Sequence, residues 1–369
     1  LASGGAPLRE TEGEVLFGED AVSGIAAMQL ARFVEPGVSV SLDLRPALAL
    51  DDDFAGVQTL LDSLAALRRD RPLADRLTGA FTFFFIFGPG TLDVSRVDWL
   101  MDLGDNAMHY LGWVFFRHDP WGWPLTWSQS LAYPSGISVS LTDPVTLFIL
   151  PFKALGPLLP EPYQYFGLWT LACFILQGAF SALLVYEVSR SRLAALLAPL
   201  FFCSAVILIY RVYTYIPHVG QWTILAGLYL FFLNRRTARY NSWWPALLCA
   251  GLLVQPYLVG ILFVIFLAAM LERALADKSL RRAGINLAVS LAAVALVMAA
   301  TGMWGGDYTM SGPGVDYFKA NLNSLVNPVN RGWSAFLPPL PLAENTYPNL
   351  HYLGLGMILL AVFALAVFL

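Results

Sequence analysis

Asp105 and His109 stand four residues apart in the stretch GDNAMHYLGWVFFRHDPWGWP, residues 104–124. On a helix this spacing puts both on one face, which Gly112 continues. A carboxylate beside an apolar wall has a raised proton affinity and can take a hydrogen from a hydroxyl nucleophile. Asp105 therefore reads as a general base. It equally suits a helix N-cap, its carboxylate satisfying free backbone N–H groups. His109 reads either as a catalytic partner of Asp105 or as an ordinary hydrogen-bonded histidine.

A second acid, Asp143, lies in SVSLTDPVTLF (residues 138–148). Asp-Pro ahead of an apolar helix predicts a capping aspartate with Pro144 at the first helical position. The alternative is a carboxylate that faces Asp105 across a cavity and helps hold a metal or an acceptor. Four cationic side chains offer charge-assisted hydrogen bonds to a phosphate. Lys153 lies inside an apolar segment, where an ionisable group marks function unless it snorkels to the headgroups. Arg211 and His218 flank the turn RVYTYIPHVGQW, and Arg331 follows much later. Arg117 belongs to a charge cluster, with His118 and Asp119, where the first helix should end. Trp113 and Trp123 serve as interface anchors or as an aromatic surface for stacking.

The elements that must position these residues are membrane spans. The chain is 57% hydrophobic and 13% charged, a balance that excludes an ordinary soluble domain and any lysine- and arginine-rich nucleic-acid binder. Apolar runs at 163–188, 193–210, 219–233, 285–303 and from 352 onward predict spanning helices, with a shorter candidate at 77–92. The run 243–271 is interrupted at Gln255-Pro256, where it should turn. LFILPFKALGPLLP (147–160) predicts a short helix that does not cross. Basic connections SRSR (189–192), NRRTAR (234–239) and 272–282 should share the cytoplasmic side. Two long loops, 93–146 and 304–351, then fall together on the other side. The expected fold class is all-α: a polytopic transmembrane helical bundle whose outer loops carry amphipathic helices. Met108, Leu111 and Phe115 supply the apolar stripe of the first such helix.

Residues 1–76 differ in composition, with DDD at 51–53 and RRDR at 68–71. They predict a cytosolic or disordered segment, with one or two helices if folded, set apart from a transmembrane domain at 77–369. Leu1 and Leu369 read as truncation points at both ends. Cys173, Cys203 and Cys249 are isolated in apolar runs and fit neither a disulfide frame nor a zinc site. No P-loop, G-x-S-x-G or HExxH motif occurs in a fitting context.

The opening stretch, TDPVTLFILPFKALGPLLPEPYQYFGLW, YFKANLNSLVNPVNRGWSAFLPPLP and YPNLHYLGLG together resemble a group of bacterial polytopic proteins known only as a domain of unknown function. The likeness runs from about Phe81 to Leu369. That group is in turn similar to the GT-C glycosyltransferases, multi-spanning enzymes that pass a sugar from a polyprenyl phosphate or diphosphate to an acceptor outside the cytoplasm. The resemblance implies a GT-C-like bundle in the bacterial inner membrane, multi-pass, with its long loops periplasmic or extracellular. It implies a lipid-linked sugar donor, an envelope glycan, lipid or protein as acceptor, and Asp105 as catalytic acid-base residue, with Asp143 carried over less firmly. No cofactor is specified, and a divalent metal is compatible. Two rival readings are a transporter or flippase of lipid-linked saccharides and a non-catalytic envelope subunit.

Overall fold

The computed structural model describes residues 71–101, 105–237, 242–304, 322–330 and 350–368, with short stretches among 2–23 and 333–342. Two units are distinguished, Leu1–Arg69 and Asp70–Leu369. In the first, the described residues form two short antiparallel pairings: β1 (Ala2–Ser3) with β2 (Ala6–Pro7), and β3 (Leu16–Phe17) with β4 (Val22–Ser23). The helices expected further along this segment lie outside the described residues.

The second unit is mostly helical. Its elements are α1 (Arg71–Phe87), α2 (Asp98–Met101), α3 (Asn106–His118), α4 (Thr146–Ala154), α5 (Phe166–Ser189), α6 (Arg192–Cys203) and α7 (Val206–Thr214). These are followed by α8 (Trp222–Thr237), α9 (Trp244–Val254), α10 (Pro256–Asp277), α11 (Leu280–Ala300) and α12 (Leu355–Phe368). Five segments are long and apolar enough to cross a membrane: Phe166–Ser189, Arg192–Thr214, Ile216–Thr237, Pro256–Asp277 and Leu280–Ala300. One departure from an all-helical fold is a hairpin between α3 and α4. There β5 (Trp127–Ser128) pairs antiparallel with β6 (Ile137–Ser138).

The breaks fall where local chemistry puts them. Pro256 is the first residue of α10, a position that needs no backbone donor, and Gln255 before it is extended. The 147–160 segment becomes the nine-residue α4 and a 3-10 turn at Gly156–Leu158, too short to cross. Gly79 lets α1 cross α5 closely, since a Cβ there would lie 2.1 Å from the Phe174 carbonyl oxygen.

Two apolar cores follow. One gathers Trp113, Phe116, Val145, Ile149, Trp169 and Val212 from the loop helices, α5 and α7. The other joins α8, α9 and α10 through Leu230, Trp244, Leu248 and Phe266. At one end of the bundle, Glu187 accepts from Arg190 (2.8 Å) and Arg236 (2.6 Å), and Arg235 pairs with Glu272 (3.2 Å). The three basic connections are thereby drawn to the same end.

Candidate functional site

The candidate site is built where α3 meets the turn between α7 and α8. Asn106, fully buried in the first turn of α3, donates to the Val212 carbonyl (3.0 Å) and accepts from the Ile216 N–H (2.9 Å). These are backbone groups on either side of an unwound residue, Tyr215, whose φ of −157° ends α7. The helix is thus clamped to the break that presents Tyr215 and, in the following 3-10 turn, His218.

Along the same face of α3, Gly112 permits a second close approach. A Cβ there would sit 2.2 Å from Thr142 Oγ1 and 3.2 Å from Val139 Cγ2. With the 139–142 turn pressed against α3, His109 Nδ1 donates to the Thr142 carbonyl at 2.7 Å. That bond fixes the neutral tautomer with the lone pair on Nε2, an atom buried with no partner among the described residues. Burial holds His109 below the usual histidine range, against the pull of the Thr142 carbonyl and the Asp143 and Asp105 charges. The ring stands edge-on to Tyr215, 4.8 Å between centroids.

Asp143 is the residue next to that turn. It does not N-cap α4, which starts at Thr146 behind Val145, so Pro144 is not its first residue either; it ends the 139–142 turn instead. Asp143 and Val145 both lie in the left-handed region (φ 53° and 59°), a conformation a β-branched valine adopts only under strain. Fully buried Val145 packing into the core and a hydrogen bond from Tyr165 to the Pro144 carbonyl hold this kink. The kink turns the Asp143 carboxylate toward Tyr215, which donates its hydroxyl to Oδ2. Gln255 Nε2 in turn donates to the Tyr215 hydroxyl at 3.2 Å. Burial raises the Asp143 carboxyl above the ordinary range, partly offset by the Tyr215 hydrogen bond, the His109 ring and Gln255.

Asp105 occupies the N-cap position of α3, yet its side chain makes no capping hydrogen bond. It is exposed, and its charge reaches both His109 and Asp143. Arg211 and His218 lie next to this group: the Tyr215 and His218 rings are 4.3 Å apart, and the Tyr215 N–H bonds the Arg211 carbonyl at 2.9 Å. Asp105, His109, Asp143, Arg211 and His218, predicted from widely separated stretches, are therefore brought into one neighbourhood. Tyr215, Gln255 and Asn106 belong to it as well and were not predicted. Gln255 carried a signal, since it stands at the break of an apolar run.

The remaining predicted residues lie elsewhere. Lys153 is buried and donates to the carbonyls of Phe116 and Asp119 (2.9 Å to the latter), with its ammonium 3.6 Å from the Phe116 ring centre. Arg117 donates to the Gly156, Leu159 and Pro160 carbonyls at 2.7–3.2 Å. Both cations border an open 370 Å³ pocket with His118, Asp119 and Trp121 at the far end of α3. That end is about 18 Å from Asp105, at 1.5 Å per residue. Trp113 is fully buried with its indole N–H on the Tyr163 carbonyl (2.9 Å), and Trp123 is 70% exposed. Arg331 lies outside the described residues. Among the described residues, no three His, Cys, Asp or Glu side chains are grouped to hold a metal.

Residues 76–369 match the model of a family described as a domain of unknown function, DUF6311. The chain belongs to that family. Neither a curated protein nor a solved structure matches it. The DUF6311 description assigns no activity, so a function must be argued from the chemistry of the site.

Proposed function

We propose that the protein is an inverting membrane glycosyltransferase that moves a sugar from a polyprenyl-phosphate or diphosphate donor to an envelope acceptor. The observation that carries this reading is the convergence of His109 and Asp143 on Tyr215, with Asp105 one helical turn before His109. Asp105, the exposed carboxylate, takes the proton of an acceptor hydroxyl as its oxygen attacks the anomeric carbon. The bond from that carbon to the lipid phosphate oxygen breaks, and its electron pair leaves with the phosphate. Nearby cations stabilise the departing charge. Asp143 and His109 are the polar wall that positions the acceptor.

The reading places the site on the non-cytoplasmic face of the bacterial inner membrane. Its support is the basic end of the bundle, which carries Arg190, Arg235 and Arg236 and by the positive-inside rule faces the cytoplasm. Tyr215 and His218 precede α8, whereas Arg235 and Arg236 end it, about 20 Å away along the helix.

A transporter of lipid-linked saccharides is the second reading. It is favoured by the helix breaks at Tyr215 and Gln255, which lie at the cluster as broken helices do in transporters. The test is sugar transfer by membranes bearing wild type, Asp105→Asn or Asp143→Asn, from a panel of polyprenyl-phosphate sugars. A general base contributes roughly 10²- to 10⁴-fold, so Asp105→Asn should nearly abolish transfer. Full transfer by folded Asp105→Asn would remove Asp105 from the chemistry. Wild type that moves lipid-linked sugar across vesicles without transferring it would establish the transporter.

A further inference from the structure

The far end of α3 carries a cleft whose two walls are tied to each other. Arg117, on the α3 side, donates to the Gly156, Leu159 and Pro160 carbonyls of the turn that follows α4. Lys153, on the α4 side, donates to the Phe116 and Asp119 carbonyls at the end of α3. These reciprocal bonds frame the open 370 Å³ pocket between the walls, a size within the range of about 300–1,000 Å³ common to small-molecule sites. A cleft braced in this way loses little freedom when it is filled.

Trp121 lines the pocket and is 53% exposed, yet its ring is held in place. It stands edge-on to buried Phe116, 6.3 Å between centroids, and the Lys153 ammonium lies 5.1 Å from its centre. Asp119, two residues earlier, is fixed by the hydroxyls of Ser128 and Ser130 and by the Ser130 N–H. Polar groups surround the ring. His118 pairs with Glu161 at 3.1 Å, and both side chains are more than half exposed. Among the described residues, the three bonds of Arg117 leave two of its five N–H donors over. The formal charges of Arg117 and Lys153 are matched by those of Asp119 and Glu161.

We propose that this pocket binds a neutral saccharide, with Trp121 as its stacking surface. A sugar ring has an apolar C–H face, which gains dispersion and burial against an aromatic ring. Its hydroxyls both donate and accept. The cleft supplies the matching parts: a fixed indole, and around it guanidinium donors and the Glu161 carboxylate. Matched charge selects an uncharged ligand over a phosphate or an amine, because neither ion meets an excess of the opposite sign. The assignment rests on the pocket's own groups and holds whether or not sugar is transferred at Asp105. Under the glycosyltransferase reading, a glycan seated here is tethered one length of α3 from the general base.

The test is binding of neutral oligosaccharides to the full chain in nanodiscs. The probes are di- to tetrasaccharides of glucose, galactose, mannose, rhamnose, arabinose and N-acetylglucosamine. Wild type should bind at least one series. Trp121→Ala should weaken that binding roughly tenfold or more, and Trp121→Phe should retain part of it. Arg96→Gln, an exposed arginine paired with Asp98, should change nothing. Binding should be equal in zwitterionic and anionic nanodiscs; loss in anionic lipid would mean that a headgroup fills the cleft and would overturn the assignment. So would absence of binding across the panel, or equal binding by folded Trp121→Ala. Binding lost in Asp105→Asn but kept in Trp121→Ala would put the saccharide at the transfer site instead. Binding through Trp121 in a protein that transfers no sugar would overturn the transferase reading and leave the pocket standing.

Discussion

Tyr215 donates its hydroxyl to the carboxylate of Asp143, joining residues 72 positions apart in the chain. This contact is the hinge of the site's electrostatics, because burial pushes Asp143 toward its protonated form and Tyr215 opposes that most strongly. Removing the hydroxyl with Tyr215→Phe should raise the Asp143 proton affinity further. If transfer needs ionised Asp143, the acid limb of its pH–rate profile moves to higher pH. The folded state holds this proton more tightly than the unfolded chain, so stability falls as pH rises through the raised carboxyl value. Tyr215→Phe should deepen that fall by about 1–3 kcal/mol, the usual cost of a buried acceptor left unpaired. Thermal unfolding in detergent across the acid range reads it, and an unaltered profile would detach Tyr215 from Asp143.

His109 carries the opposite sign. Its folded proton affinity is depressed by burial, so the unfolded chain binds the proton more readily. Stability from neutral His109 is present above the ordinary histidine range and is lost as pH falls below it. His109→Gln should flatten the drop in Tm between about pH 7 and 5 relative to wild type. A drop identical in the two proteins would mean that other groups, such as His351, account for it.

Gly112→Ala tests the approach of α3 to the 139–142 turn. The added Cβ would meet Thr142 Oγ1 at 2.2 Å, an overlap in the range where overpacking costs about 1–3 kcal/mol. Because the same contact lets His109 reach the Thr142 carbonyl, transfer should fall with stability. Adding Thr142→Ala removes the clashing oxygen and should restore part of both. Non-recovery in the double variant would place the strain at Val139 instead.

Lys153 should behave as a structural cation. Burial pulls it from 10.5 to about 8, against the attraction of Asp119. The unfolded chain therefore binds this proton more tightly, and stability should rise with pH between these two values. Lys153→Met should abolish that rise. It should also cost about 1–3 kcal/mol through the abandoned Phe116 and Asp119 carbonyls, while leaving transfer per folded molecule near wild type. Loss of transfer in a fully folded variant would return Lys153 to the site.

Much of the scaffold was legible because it is written in local periodicity. The shared face of Asp105, His109 and Gly112, the break at Gln255-Pro256 and the shortness of α4 all follow from spacing and from proline. The exposed Met108, Leu111 and Phe115 lie on the apolar side expected of that helix. Asp143 was misread because Asp-Pro before an apolar run is the usual cap, and only tertiary packing of Val145 imposes the left-handed kink. Lys153 looked functional because it is an intramembrane-like charge; its partners are carbonyls 37 and 34 residues away, which no local pattern signals. Asn106, Tyr215 and Gln255 were missed for the same reason. Each gains its meaning from contact with a distant segment.

The two hydrogen bonds of Asn106 have a consequence for how the break is held. One amide takes up the Val212 carbonyl, three residues before the unwound Tyr215, and the Ile216 N–H immediately after it. The seam in the backbone is sealed on the side of α3. At the same seam the Tyr215 ring packs against His109 of that helix and against His218. It is thus one of the protein's own side chains, independent of any bound molecule, that holds the two helix ends at the break.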